Sequence, residues 1–222
     1  MTGPAQAVAE AGGRVLAGAT RLLGRARPAA KPLHPHGRLA AGRLVRHGAG
    51  TSPGERSGVD WLDEPGSDEA LVRTSRATGL PEPLPDIHGL AVRVPVEPDG
   101  YADLLFATTA WNRVGRHVLL PTRSVGPTLS TLLPYRCAAG PLVLGARRTG
   151  TSYRISWARV GGPWRELGEL QVDETTEPDA LVSFDPVLHH PPGITPYSWV
   201  TRLRERAYAT ARRSRGEDPT EE

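Results

Sequence analysis

Between residues 71 and 184 the sequence breaks into short runs in which apolar and polar side chains alternate, and the runs are separated by Gly- and Pro-bearing turns. A period of two places successive side chains on opposite faces of a strand, so such runs read as half-buried β-strands. They fall at 71–76, 90–96, 101–108, 117–122, 142–148, 152–160, 164–172 and 181–184, with a further strand-like run at 37–47. Pro98-Asp99-Gly100 and Thr149-Gly150-Thr151 are short hairpin connections between neighbours. The 25 Gly and 22 Pro suit strands joined by turns and argue against a helical bundle. No repeat of 20 to 50 residues is visible, which excludes a propeller or solenoid. At 222 residues one domain with a full core suffices.

Helical patterns are confined to the two ends. Over 5–25, Val8, Val15, Leu16, Ala19, Leu22 and Leu23 recur at helical spacing with Arg14, Arg21 and Arg25 between them. Such an Ala-rich arm suits packing on the domain or on a partner subunit of a homo-oligomer better than a membrane surface. A second helix is expected over 196–213, with Thr195 as its cap, Pro196 in the first turn and Gly216 beyond its end. Val200, Leu203, Ala207 and Ala211 form its apolar stripe, and 216–222 is expected to be a disordered tail. The segment 48–69, rich in Gly, Ser, Pro and Asp and carrying Trp61, reads as a long loop that covers something. The expected organisation is therefore an arm over 1–30, a domain over 31–215 and the tail, in the α+β class but mainly β.

Composition removes several function classes. Lys31 is the only lysine, so 26 of the 27 basic residues are Arg, a bias that a GC-rich genome produces. The net charge of +3 is accompanied by no Lys/Arg block with interleaved aromatics, which speaks against nucleic acid as a partner. Cys137 is alone, excluding a disulfide framework and a cysteine zinc site and fitting a cytoplasmic protein. No apolar run approaches the ~20 residues of a membrane helix, and no secretory leader pattern opens the chain.

On the C-terminal helix Arg204 and Tyr208 are four apart and Arg215 lies seven further on, roughly on one face. Guanidinium groups beside a phenol favour the phenolate, a hard anionic ligand for ferric haem. The bland alternative is a Tyr208 that caps the core while its arginines face water. Another set, His34, His36, Asp86, His88 and the pair His189-His190, offers ligands for a divalent metal in a hydrolase such as a phosphodiesterase, although no acidic residue completes a recognised motif. His47 and His117 read as surface residues, His189-His190 as a loop, and Trp111, Trp157, Trp164 and Trp199 as large fillers of the barrel and its helix contacts.

Four further segments carry a family likeness. They are Lys31-Pro32-Leu33-His34-Pro35-His36-Gly37, Val72-Arg73-Thr74-Ser75, Asp86-Ile87-His88-Gly89-Leu90-Ala91-Val92-Arg93 with the following Asp103-Leu104-Leu105, and Arg204, Tyr208 and Arg215. In this order the chain resembles the haem catalases, nearest to the short catalase-related peroxidases, as a truncated and degenerate member. The resemblance implies a catalase-like antiparallel β-barrel core with an N-terminal helical arm and a C-terminal proximal helix. It implies haem b, with Tyr208 as iron ligand, Arg204 and Arg215 beside it, Arg73 and Lys31 at the propionates, His34 as distal histidine and Ser75 hydrogen-bonded to that histidine. Hydrogen peroxide and a small organic reductant are the implied partners.

Departures from the family pattern bear on activity. An asparagine that helps to orient peroxide is replaced where this chain reads Phe106-Ala107-Thr108-Thr109, Lys31 stands for an arginine, and Leu90 stands for an aromatic residue that packs by the haem. The expected function is thus a haem-binding, catalase-like protein with weak peroxide-dependent peroxidase activity. A non-enzymatic protein of the same fold that has lost haem or catalysis is the nearest alternative.

Overall fold

The computed structural model describes residues 36–50, 55–77, 83–98, 100–178 and 182–201. The arm over 1–30, the segment 31–35, and all of the C-terminal helix and tail beyond Thr201 lie outside the described residues.

Eight strands close into an antiparallel barrel: β1 (His36–His47), β2 (Pro65–Arg76), β3 (His88–Val96), β4 (Gly100–Thr108), β5 (Thr128–Ser130), β7 (Leu142–Thr149), β8 (Ser152–Arg159) and β9 (Arg165–Pro178). β1 pairs with both β2 and β9, and the β7–β8 and β8–β9 hairpins complete the ring. Outside it, β6 (Tyr135–Arg136) and β10 (Thr195–Pro196) pair with each other, and β6 is tied to β7. Closure removes the exposed sheet edges that would otherwise template aggregation.

Alternation along the strands fills the barrel. Leu44, Val72, Leu90, Val92, Leu104, Phe106, Leu129, Leu144, Ile155 and Trp157 all contribute to one core cluster. Each fully buried side chain of this kind stabilises by about 1.5–3 kcal/mol relative to exposure. The 48–69 segment does cover something: the short helix α1 (Asp60–Asp63) and Val59 bring Leu62 and Trp61 against that core. Arg46 lies 4.7 Å from the Trp61 ring and pairs with Asp68 at 3.1 Å. The buried Asp63 carboxylate accepts the Ser57 and Gly58 amides at 2.7 and 2.8 Å, fixing the approach to α1.

Five expectations change. Residues 65–69 are strand, not loop, because β2 pairs with β1 as far as His47↔Pro65; their polar composition hid a two-residue-periodic ladder. β9 extends past 172, its register shifting at Ala40/Gly42 so that it pairs with β1 as far as Pro178. The run 117–122 is not a strand: Asn112 Oδ1 accepts the Val114 and Gly115 amides, starting a tight turn that continues into a 3₁₀ turn, η1 (Gly115–His117), and only isolated bridges follow. Residues 182–184 are irregular, with Phe184 packed on the outside of the barrel. Thr195 and Pro196 are in β10 rather than in a helix start, and the helix begins at 198, where the Tyr197 carbonyl accepts the Val200 and Thr201 amides.

Two glycines are demanded by backbone geometry. Gly150, at φ 65°, supplies the left-handed residue of the β7–β8 turn. At Gly168 a Cβ would run into the Val45 carbonyl across the β1–β9 ladder. Gly168→Ala is therefore expected to destabilise the barrel by about 1–3 kcal/mol, the usual cost of overpacking, in urea-induced unfolding.

Candidate functional site

The outer face of β1–β4 carries the described residues of chemical interest. Register places Gly37, Ser75, Gly89 and Ala107 side by side across four strands, and Ser130 of β5 continues the row. No side chain of this row itself exceeds a hydroxymethyl group, so little projects from the sheet there apart from the neighbouring Arg73 guanidinium over Gly37. The next row is Leu39, Arg73, Ala91 and Leu105, and the one beyond it includes Leu71, Arg93 and Asp103. Leu39, Leu71, Ala91, Leu105, Val182 and Phe184 form a second apolar cluster on this face. Arg73 and Ser75, two apart on β2, thus share the outer face. The Arg73 guanidinium lies against Gly37, where a Cβ would fall 2.7 Å from Arg73 Cζ. Lys31, His34, Arg204, Tyr208 and Arg215 lie outside the described residues.

Thr108 and Leu90 point the other way. Thr108 is fully buried, and its hydroxyl accepts the His88 amide at 3.1 Å. Leu90 is in the barrel core. Of the Phe106-Ala107-Thr108-Thr109 stretch, it is Ala107 that stands in register with Gly89 and Ser75 on the outer wall, so that position carries a methyl group and no hydrogen-bonding atom. Leu90 packs the barrel rather than this wall, contrary to the expectation that it alters a haem pocket.

Sequence reasoning passed over a two-bonded ion pair on this face. Arg93 and Asp103 are directly opposite on β3 and β4 and form two bonds, Nε to Oδ1 at 2.7 Å and Nη2 to Oδ2 at 2.8 Å. Asp103 is fully buried and also accepts the Asp185 amide at 2.7 Å, while Arg93 donates to the Ser183 carbonyl at 2.6 Å. Arg93 stacks 3.9 Å above Tyr101, whose hydroxyl meets His189 Nε2 at 3.0 Å. The hydrogen bond to Asp103 holds the Arg93 pKa above its ordinary value. Together these contacts strap residues 182–189 across the end of the outer face. The hairpin register over Pro98-Asp99-Gly100 was the available signal, since it sets residues 93 and 103 opposite each other.

The histidine and carboxylate set does not assemble among the described residues. His88 Nε2 faces the Thr122 carbonyl at 3.2 Å, Asp86 lies 3.5 Å from Arg76, His189 is with Tyr101, and His190 sits at the Pro191 carbonyl. No three His, Cys, Asp or Glu side chains converge among the described residues. His36, whose neighbour His34 is not described, sits at the end of β1.

His47 is half exposed beside Glu166, as expected, whereas His117 is half-buried. Its Nδ1 donates to the Leu132 carbonyl at 2.8 Å, its Nε2 is buried without a partner, and Leu132 has φ 62°. The hydrogen bond and the left-handed Leu132 belong to one knot, in which the Ser130 hydroxyl donates to the Arg116 carbonyl and accepts the Leu132 amide. Leu132 and Leu133 pack against Val200, Tyr197 and Trp199, so this knot seats the start of the C-terminal helix. Trp157 fills the barrel as expected, whereas Trp111 and Trp164 stack on one another over Gly145, outside it.

Only after this geometry does the likeness to known proteins acquire meaning. No protein-family model matches the sequence, and no curated protein matches it. Among solved structures, catalase A from Saccharomyces cerevisiae superposes with a TM-score of 0.56 at 13% identity, covering 90% of this chain and 64% of that one. A bacterial catalase gives 0.51 at 13% identity, covering 94% and 63%. The chain thus spans just under two thirds of the length of these catalases and shares their fold. No helix among the described residues is long and apolar enough to cross a membrane.

Two outcomes follow. Asp103→Ala leaves Arg93 without its carboxylate and releases the Asp185 amide; it should cost about 3 kcal/mol in denaturant unfolding and raise amide exchange over 182–189, with Arg93→Met in the same chain recovering part of the loss. Burial, with a smaller contribution from Arg116 beside it, holds the His117 pKa below its ordinary 6.5 against the opposing hydrogen bond to Leu132. The unfolded chain therefore takes up that proton before the folded one, and stability should fall as pH drops through about 6.5. His117→Gln is expected to flatten the His117 share of that slope, measured as unfolding midpoints between pH 7 and 5.

Proposed function

We propose that the outer face of β1–β4 is one wall of a haem pocket and that the chain is a haem-binding protein with weak peroxide-dependent peroxidase activity. The observation that carries this reading is the placement of Arg73 and Ser75 on one small-residue face of a catalase fold. The wall fits a broad planar macrocycle bearing carboxylates. Ser75, Gly89 and Ala107 offer area without protruding side chains, and the Arg73 guanidinium, lying over Gly37 at one end of the row, suits an anionic edge there. The chemistry such a group supplies when bound is a ferric centre at which peroxide is cleaved.

The chain's own residues would do the rest. Tyr208, as phenolate beside Arg204 and Arg215, is the proposed iron ligand, and Arg73 with Lys31 would neutralise the carboxylates. His34 would take a proton from one peroxide oxygen and deliver it to the other, and the Ser75 hydroxyl would hold its imidazole in orientation. Ala107 supports weak peroxidase activity over efficient disproportionation: at its place in the row there is no amide to orient a second peroxide, so a small organic reductant completes the turnover. The same methyl group favours the second reading, a protein that binds haem without turnover.

The full chain titrated with haem should develop a saturable Soret band with a ferric tyrosinate signature that Tyr208→Phe abolishes. Peroxide-dependent oxidation of a phenolic reductant should fall about 10²-fold or more in His34→Ala, the usual scale for a lost acid–base group, and less in Ser75→Ala. Absence of a saturable Soret band, or a spectrum unchanged in Tyr208→Phe, would overturn the proposal. Haem uptake with no turnover of any reductant would select the non-enzymatic reading.

A further inference from the structure

From Leu104 to Arg165 the chain runs for 62 residues without one Asp or Glu while carrying nine arginines. This stretch contributes β5 to β8 and the connections around η1, so its arginines find carboxylates only on other segments, as Arg154 does at Glu166 of β9. Arg116, in η1, is the point at which that imbalance becomes acute. Its side chain is 1% exposed. Nη2 donates to the Gly162 carbonyl at 2.6 Å, but Nε and Nη1 are buried with no hydrogen-bond partner. The Trp164 ring, 4.4 Å from Cζ, faces the guanidinium, and no carboxylate pairs with it among the described residues. Burial lowers its pKa, with Arg113 adding to the effect, yet a guanidinium keeps its charge at neutral pH. A buried cation in this position lacks a counter-charge.

Two further polar atoms of the same loop are also buried and unpartnered, Thr109 Oγ1 and His117 Nε2. Because His117 Nδ1 donates to the Leu132 carbonyl, Nε2 of the neutral ring is an acceptor. Arg116 and Thr109 thus offer unused donors while His117 offers an unused acceptor. That complement fits an oxyanion that still carries a proton. The residues just before Arg116 in the turn, Asn112, Arg113 and Val114, are all exposed, Val114 at 76%.

We infer that the turn from Thr109 to His117 is a binding site for a small protonated oxyanion of the hydrogen phosphate type, with Arg116 as its counter-ion and Arg113 as the cation that draws it in. The anion reaches Arg116 by a local shift of the 112–114 turn. The site lies outside the proposed haem wall and does not depend on it.

The test uses the full chain without added haem and inorganic phosphate as the probe, with chloride balancing ionic strength. Thermal unfolding and tryptophan emission are followed together, since Trp164 lies against Arg116. Expected is a saturable rise of several degrees in the unfolding midpoint at millimolar phosphate, with a matching emission change. Arg116→Leu should unfold no earlier than the parent chain in chloride and lose the phosphate response. Arg113→Ala should raise the half-saturating concentration several-fold, and Arg148→Ala, an exposed arginine elsewhere on the acid-free stretch, should leave it unchanged. No saturable response in the parent chain, a response retained in Arg116→Leu, or an equal loss in Arg148→Ala overturns the inference. Should Arg116→Leu fail to fold, Arg113→Ala decides: an unshifted titration overturns it and a several-fold shift supports it.

Discussion

The double pairing of β1, with β2 on one side and β9 on the other, is the constraint on which the rest of the structure depends. It closes the sheet, and closure gives every strand an inside and an outside. Because the side-chain period is two, closure commits Leu44, Val72, Leu90 and Leu104 to the core and Leu39, Arg73, Ala91 and Leu105 to the outer face. A slip of one residue in any of these strands would exchange its two faces, carrying Arg73 inside the barrel if it fell in β2 and Asp103 if it fell in β4. Gly168 guards the closing ladder by letting the β1 backbone approach.

Most of the strands were legible because alternation reports a half-buried surface directly. The runs at 90–96, 101–108, 142–148 and 152–160 match β3, β4, β7 and β8 within a few residues. Alternation failed where something other than a ladder produced it. Val118 and Leu120 alternate with less exposed neighbours in an irregular loop held by Asn112 and by the bridge at Leu119. Pro65 to Glu69 failed for the opposite reason, since a polar strand pairing at the barrel end looks like a loop. The start of the C-terminal helix was misplaced because Thr195 and Pro196 are good cap residues that here complete a two-stranded pairing with β6.

The site was legible in part. The spacing of Arg73 and Ser75 fixed their common face once β2 was recognised. Which residue of the Phe106 to Thr109 stretch meets that face needed the register, and Ala107 rather than Thr108 proved to be the one. The Arg93–Asp103 pair and the buried Arg116 were both missed. The first was hidden in an ordinary hairpin, and the second in a net charge that averages an acid-free stretch of 62 residues against acidic residues elsewhere in the chain. Net charge describes the whole surface, whereas a buried guanidinium responds to the few ångströms around it.

The central claim is that the small-residue row across β1–β4 receives a planar macrocycle, and one substitution addresses it without touching any proposed ligand. Ser75→Trp sets a large indole on that row while leaving the barrel interior unchanged. Haem titration of this variant, followed by the Soret band beside thermal unfolding, should show a barrel that melts near the parent temperature and takes up no haem. Haem uptake equal to that of the parent chain would contradict the account.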